Sequence, residues 1–88
     1  MHYLLGHHRV NDIDSWKKVI EADRQQHLSM GLHFEELWTN ADDPQEIFFI
    51  FEVDDLERAR AGLRAAGALD EEKQKRGEIP RLTFLVAR

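Results

Sequence analysis

A four-stranded antiparallel sheet with two helices on one of its faces is the architecture this sequence predicts, and three features predict it. The run Glu46-Ile47-Phe48-Phe49-Ile50-Phe51-Glu52-Val53 is apolar at six of eight positions with no helical gaps, the mark of a strand buried on both faces. Only two segments carry helical spacing, enough to cover one side of a small sheet. Strand-like and helix-like segments follow the order strand, helix, strand, strand, helix, strand. The second apolar side of the sheet then calls for another copy of the chain, so a homodimer is expected.

Taken in order, Tyr3 to Val10 suits a strand, and Asn11-Asp12-Ile13-Asp14-Ser15 supplies acidic and hydroxyl side chains that cap the orphan amides opening a helix. The spacing predicts that helix over about Ser15 to Met30, ended by Gly31 in a left-handed conformation. Leu32 to Thr39 alternates, placing Leu32, Phe34, Glu36 and Trp38 on one side of a half-buried strand and His33, Glu35, Leu37 and Thr39 on the other. Glu36 interrupts the first of these faces, either as a carboxylate in an apolar setting or as a protective charge on an edge strand. Asn40-Ala41-Asp42-Asp43-Pro44-Gln45 is turn chemistry and folds this strand back onto the buried run. Asp54 and Asp55 cap a second helix rich in Ala, Leu and Arg, with Gly67 breaking it before Asp70 to Arg76 and Gly77 ending it. Pro80 opens the last strand, Arg81 to Ala87. This is the split β-α-β order of the ferredoxin-like α+β fold, β-α-β-β-α-β, with both helices on one face of the sheet.

Eighty-eight residues without a linker or low-complexity tract make one domain, 1–88. A chain of this size buries only about 60 to 65% of its unfolded surface, and pairing adds to a thin core. With 12 Lys and Arg against 17 Asp and Glu, the net charge of -5 argues against nucleic acid as a partner, since such proteins concentrate positive charge. The absence of Cys removes disulfides, thiolate metal sites and cysteine nucleophiles. The N-terminal residues break their apolar character too early for a signal peptide, and no stretch nears the length of a membrane span. A soluble cytoplasmic protein is the expectation.

A set of motifs spans nearly the whole chain: Val10-x-Asp12-x-x-x-Trp16-Lys17, the turn Asp42-Asp43-Pro44, Phe51-Glu52-Val53-Asp54-Asp55-Leu56-x-x-Ala59, and Lys75-x-Gly77 before Pro80. In order and spacing it resembles the small bacterial "cyclase"-labelled proteins of the dimeric α/β-barrel superfamily, related to antibiotic-biosynthesis-monooxygenase-like domains. That superfamily holds cofactor-free monooxygenases, polyketide cyclases, isomerases, haem enzymes and proteins of unknown role. The resemblance implies a dimer with one small-molecule pocket per protomer between sheet and helices, and it carries no single activity.

Candidate site residues come from the first strand and first helix. At ~100° per residue, Ile13, Trp16, Val19, Ile20 and Met30 form an apolar stripe whose centre also holds Asp23 and His27. Two readings stand. Either the stripe opens there onto a cavity in which Asp23, at i,i+4, orients His27 as a general base, or the helix end turns into solvent and the pair does nothing. In the first strand, His2, Leu4, Gly6, His8 and Val10 share a face, and the resemblance turns the Val10 side toward the helices. Gly6 then leaves room beside His8 and next to an apolar wall of Ile47, Phe49, Phe51 and Val53. Leu4, Gly6, Trp16, Phe49 and Phe51 are thus candidate ligand contacts, and His8, with its ordinary pKa of about 6.5, a candidate acid or base. A hydrogen-bonded core histidine, a bulge at Gly6 and a packing role for Trp16 are the structural alternatives. All five His fall in the first 33 residues, but His7 and His8 point to opposite faces and no His-x-x-x-His pair exists. Neither a metal site nor a cofactor is expected.

Overall fold

In the computed structural model, which describes residues 1–88, the elements run β1 (His2–Arg9), α1 (Ile13–Ala22), α2 (Arg24–Ser29), β2 (Leu32–Asn40), β3 (Asp43–Val53), α3 (Leu56–Ala65), α4 (Glu71–Lys75) and β4 (Arg81–Val86). The strands form one antiparallel sheet in the order β2-β3-β1-β4, the ferredoxin-like arrangement. The apolar run of β3 occupies a central position, as its composition requires. Its alternate residues Ile47, Phe49, Phe51 and Val53 are buried beneath the helices with Leu4, Leu32, Ala59 and Leu63.

Local chemistry explains most boundaries. The Asp12 carboxylate accepts from the Asp14 amide and the Ser15 hydroxyl to open α1, Asp55 accepts from the Arg58 amide to open α3, and Asp70 accepts from the Glu72 and Lys73 amides to open α4. Gly31, Gly67 and Gly77 all have φ between 72° and 77°, a region L residues avoid. Asp54 has a different task from capping: its carboxylate lies 2.6 Å from His33 Nε2.

Two departures from the expected pattern matter for the site. The segment expected as one helix is divided at Asp23, although the hydrogen bonds from the Asp23 amide to the Val19 carbonyl and from the His27 amide to the Asp23 carbonyl carry the helical path across the break. Val19 is 56% exposed and lies off the stripe on which Trp16 and Ile20 turn inward. In β2 a bulge between Phe34 and Glu36 shifts the register. An extra residue reverses every side chain beyond it, so Leu37 turns toward the core while Glu36 and Trp38 come to lie opposite Ile50 and Phe48. The interruption at Glu36 is therefore no carboxylate among core residues; it sits with Trp38 on the side the helices leave bare.

Candidate functional site

A cleft of about 510 Å³ lies between α1 and α2 on one side and edge strand β2 on the other. The floor is Leu32, Phe34, Leu37 and Phe51 from the sheet; Trp16 and Ile20 of α1 and His27 and Leu28 of α2 form the wall. Lys17, Glu21, Arg24 and His33 stand at the mouth. Aromatic rings give the cleft its shape: Trp16 packs 4.9 Å from Phe49 and 6.4 Å from Phe34 between ring centres, and Phe51 meets Phe34 edge-on at 5.4 Å. Phe34 remains 43% exposed because one of its sides looks into the cleft. Concave, mostly apolar surfaces with a few polar groups are the usual form of small-molecule sites.

His27 is the polar group placed deepest in this wall. Its ring stands edge-on to Phe51 at 5.1 Å, and its side chain makes no hydrogen bond within the protein. Burial lowers its pKa below the ordinary value, and the Asp23 charge offsets this only in part. Burial thus favours the neutral imidazole, whose lone pair is free to accept a proton from a ligand. Asp23 itself is exposed at the junction of the two helices and does not line the cleft.

The structure thus brings together Trp16, His27 and Phe51 of the residues singled out from the sequence, with Phe49 directly beneath Trp16. It separates the others. Leu4 is a core residue, 1% exposed. Gly6 makes no space for a ligand, because the ring of its cross-strand partner Phe49 occupies the place a Cβ would take. His8 lies in a second hollow between β1 and the α4–β4 connection, where burial, and then the neighbouring His7, lower its pKa.

Two histidines that the sequence reading passed over are held by carboxylates. His33 stands at the cleft mouth against Asp54; the β2–β3 register pairs His33 with Glu52, two residues before Asp54. On the bare face, His7 Nε2 lies 3.1 Å from Glu46 Oε2, while Asn40 Nδ2 donates to Glu46 Oε1 at 2.8 Å and the His7 ring stacks on Phe48 at 4.6 Å. Alternation does place His7 and Glu46 on the same side of adjacent strands, and that was the available signal. No three His, Asp or Glu side chains converge as a metal site would require, and no helix is long and apolar enough to cross a membrane.

No protein-family model matches the sequence, and no curated protein does. Solved structures do match. One from Bordetella bronchiseptica, provisionally named an antibiotic biosynthesis monooxygenase, superposes with a TM-score of 0.67 at 15% identity over 99% of this chain and 96% of its own. Another of the same provisional name, from Deinococcus radiodurans, gives 0.64 at 12% identity over 100% and 93%. An uncharacterised NIPSNAP domain protein from Burkholderia xenovorans gives 0.60 at 15% identity over 100% and 95%. This chain has the ferredoxin-like fold of these proteins. The match runs nearly end to end in each case, so the likeness is one of the whole fold.

Proposed function

We propose that the protein is a homodimer that binds one small, flat, largely apolar compound per protomer in the cleft over β2, and that His27 removes an acidic proton from it. The observation that carries this reading is an imidazole without an internal hydrogen-bond partner, set among Trp16, Ile20, Phe34 and Phe51, where burial favours its neutral form. An aromatic phenol or a polyketide-like compound fits such a wall: its ring stacks or meets ring edges, and its O–H or activated C–H reaches the imidazole. Proton loss leaves an electron-rich anion. In a cofactor-free monooxygenase that anion reacts with O₂, whereas in a cyclase or isomerase it attacks within the molecule or is protonated elsewhere. The names carried by the structural neighbours favour the monooxygenase branch.

A non-catalytic ligand-binding dimer is the second reading, and one observation favours it. A general base is usually held by an orienting partner, and the Asp23 carboxylate that would serve His27 makes no hydrogen bond to it. The two readings separate on His27→Gln. Hydroxylated naphthalenes and related phenols serve as probes, with binding followed by Trp fluorescence and reaction by O₂ uptake and product analysis. Proton transfer predicts O₂ uptake or conversion by the wild type that drops about 10² to 10⁴-fold in His27→Gln with binding nearly kept. Binding without conversion in the wild type establishes the carrier reading, and absence of binding refutes both.

A further inference from the structure

The second hollow, about 330 Å³, has a chemical character opposite to that of the cleft. Ile79 is the single apolar residue among its lining groups. It exists because β4 leaves the sheet early: β1 pairs with β4 only as far as His7↔Arg81, while on its other edge β1 pairs with β3 through Arg9↔Glu46. Pro80, just before β4, has no amide hydrogen with which to extend the ladder. The chain instead approaches from α4 through Gly77, whose backbone, at φ 73°, has no atom within 4 Å of the place a side chain would take. The edge of β1 at His8 and Arg9 is left facing open space.

Charge collects there. Lys75, at the end of α4, and Arg81, at the start of β4, line the hollow and form no ion pair with the protein. The one carboxylate in the lining, Glu46, has both oxygens engaged, one by Asn40 and one by His7. Arg9 is committed to Asp43 at 2.5 Å. The His8 ring, half-buried, makes no hydrogen bond within the protein. A chain of net charge -5 thus places Lys75 and Arg81, both outside any ion pair, beside a single carboxylate and an exposed backbone turn in one concavity.

We propose that this hollow binds the phosphoryl group of a small phosphate monoester, with Lys75 and Arg81 as its cationic contacts. Lys75 and Arg81 outweigh the single Glu46 charge and leave the hollow net cationic, and the planar fork of Arg81 suits tetrahedral oxygens. The site is separate from the aromatic cleft and does not depend on what the cleft binds.

The test is a titration of the full, isotopically labelled chain with inorganic phosphate at constant ionic strength, read by amide chemical shifts. Saturable shifts are expected at Lys75, Gly77, His8 and Arg81, with a Kd on the order of millimolar for phosphate alone. Lys75→Gln and Arg81→Gln should each weaken binding about tenfold, while Lys18→Gln, an exposed cation of α1 outside both cavities, should leave it unchanged. The spectra also report whether each variant is folded. Shifts that rise linearly without saturating, saturation unaffected by either substitution, or saturation by succinate where phosphate gives none would each overturn the assignment.

Discussion

The helix-covered face of the sheet and its bare face draw on the same strands, one residue apart, and differ in how they are closed. Under the helices Ile47, Phe49, Phe51 and Leu4 are at most 4% exposed. On the other side Phe48, Ile50 and Leu5 are only half-buried, and Trp38 is 47% and Leu85 38% exposed. Apolar content alone does not separate the two. What separates them is the presence of a neighbour, supplied by α1 to α4 on one side and, in the reading above, by a second protomer on the other. Contiguous apolar surface of this kind is rarely left to water. The comparison also shows where a ligand can enter: at the margin of the covered face, between edge strand β2 and α1–α2, since the centre of that face is filled.

The sharpest way to break the covered face is Gly6→Val. Phe49 lies across Gly6 on the neighbouring strand, its ring in the volume the new side chain needs, and Phe49 is itself confined by Trp16. Overpacking of this order costs about 3 kcal/mol or more, and chemical denaturation should show a loss of that size or failure to fold. A variant as stable as wild type would mean that the Phe49 ring moves freely, and that the core is looser than its burial implies.

On the bare face the same kind of insult should leave the protomer fold alone and act on association. Phe48→Asp puts a charge at the centre of the patch, beside Trp38 and under the His7 ring. Sedimentation at micromolar concentration should show a dimer for wild type and a monomer or aggregate for the variant. An intact, equally stable dimer would move the interface elsewhere.

The contrast between these two substitutions was only partly legible beforehand. Element order, caps and the three left-handed glycines follow from local chemistry, so Asp12, Asp55, Asp70, Gly31, Gly67 and Gly77 could be placed from sequence. Cross-strand events are not local. That Gly6 is filled depends on a register pairing it with an aromatic residue 43 positions away, the device by which a ring shields a strand glycine. The Phe34/Glu36 bulge likewise leaves no mark in an alternating pattern, yet it decides that Leu37 rather than Trp38 floors the cleft. His27 and Trp16 were found because helical periodicity places them; His33 and His7 were missed because their carboxylates come from other strands and turns.

A milder probe of both cavities at once is pH. Burial lowers the pKa of His8 and of His27 below the ordinary 6.5. Between the folded and unfolded values the unfolded chain binds more protons, so this part of the stability is complete above about pH 6.5 and is lost as pH falls through the folded values. Asp43 and Glu46, lowered by Arg9 and by Asn40 with His7 respectively, act in a separate window: their contribution is lost only as pH falls below the ordinary carboxylate range. Urea midpoints measured stepwise downward from about pH 7.5 should therefore show one decline beginning near pH 6.5 and another near pH 4. His27→Leu should reduce the first and leave the second. A flat profile from neutrality down to the carboxylate range would mean that neither imidazole is desolvated as its position implies.

The smallest effect expected is that of Asp23→Asn, and it separates two kinds of helper for His27. A carboxylate that fixes a tautomer must hydrogen-bond the ring, and its loss costs turnover by orders of magnitude. Asp23 makes no such bond; exposed at the α1–α2 junction, it acts on His27 only through its charge, which raises the imidazole pKa against the effect of burial. Removing that charge should lower the His27 pKa further and move the acidic limb of any pH–rate profile to lower pH. Exposed substitutions of this kind change stability by only about 0.5 kcal/mol or less. Direct titration of the His27 ring protons by NMR, in wild type and Asp23→Asn, gives the sign of the shift without a known substrate. A pKa that rises instead would show that the Asp23 charge does not act on the imidazole, and a loss of turnover as large as that of His27→Gln would show that Asp23 reaches the ring in the working protein.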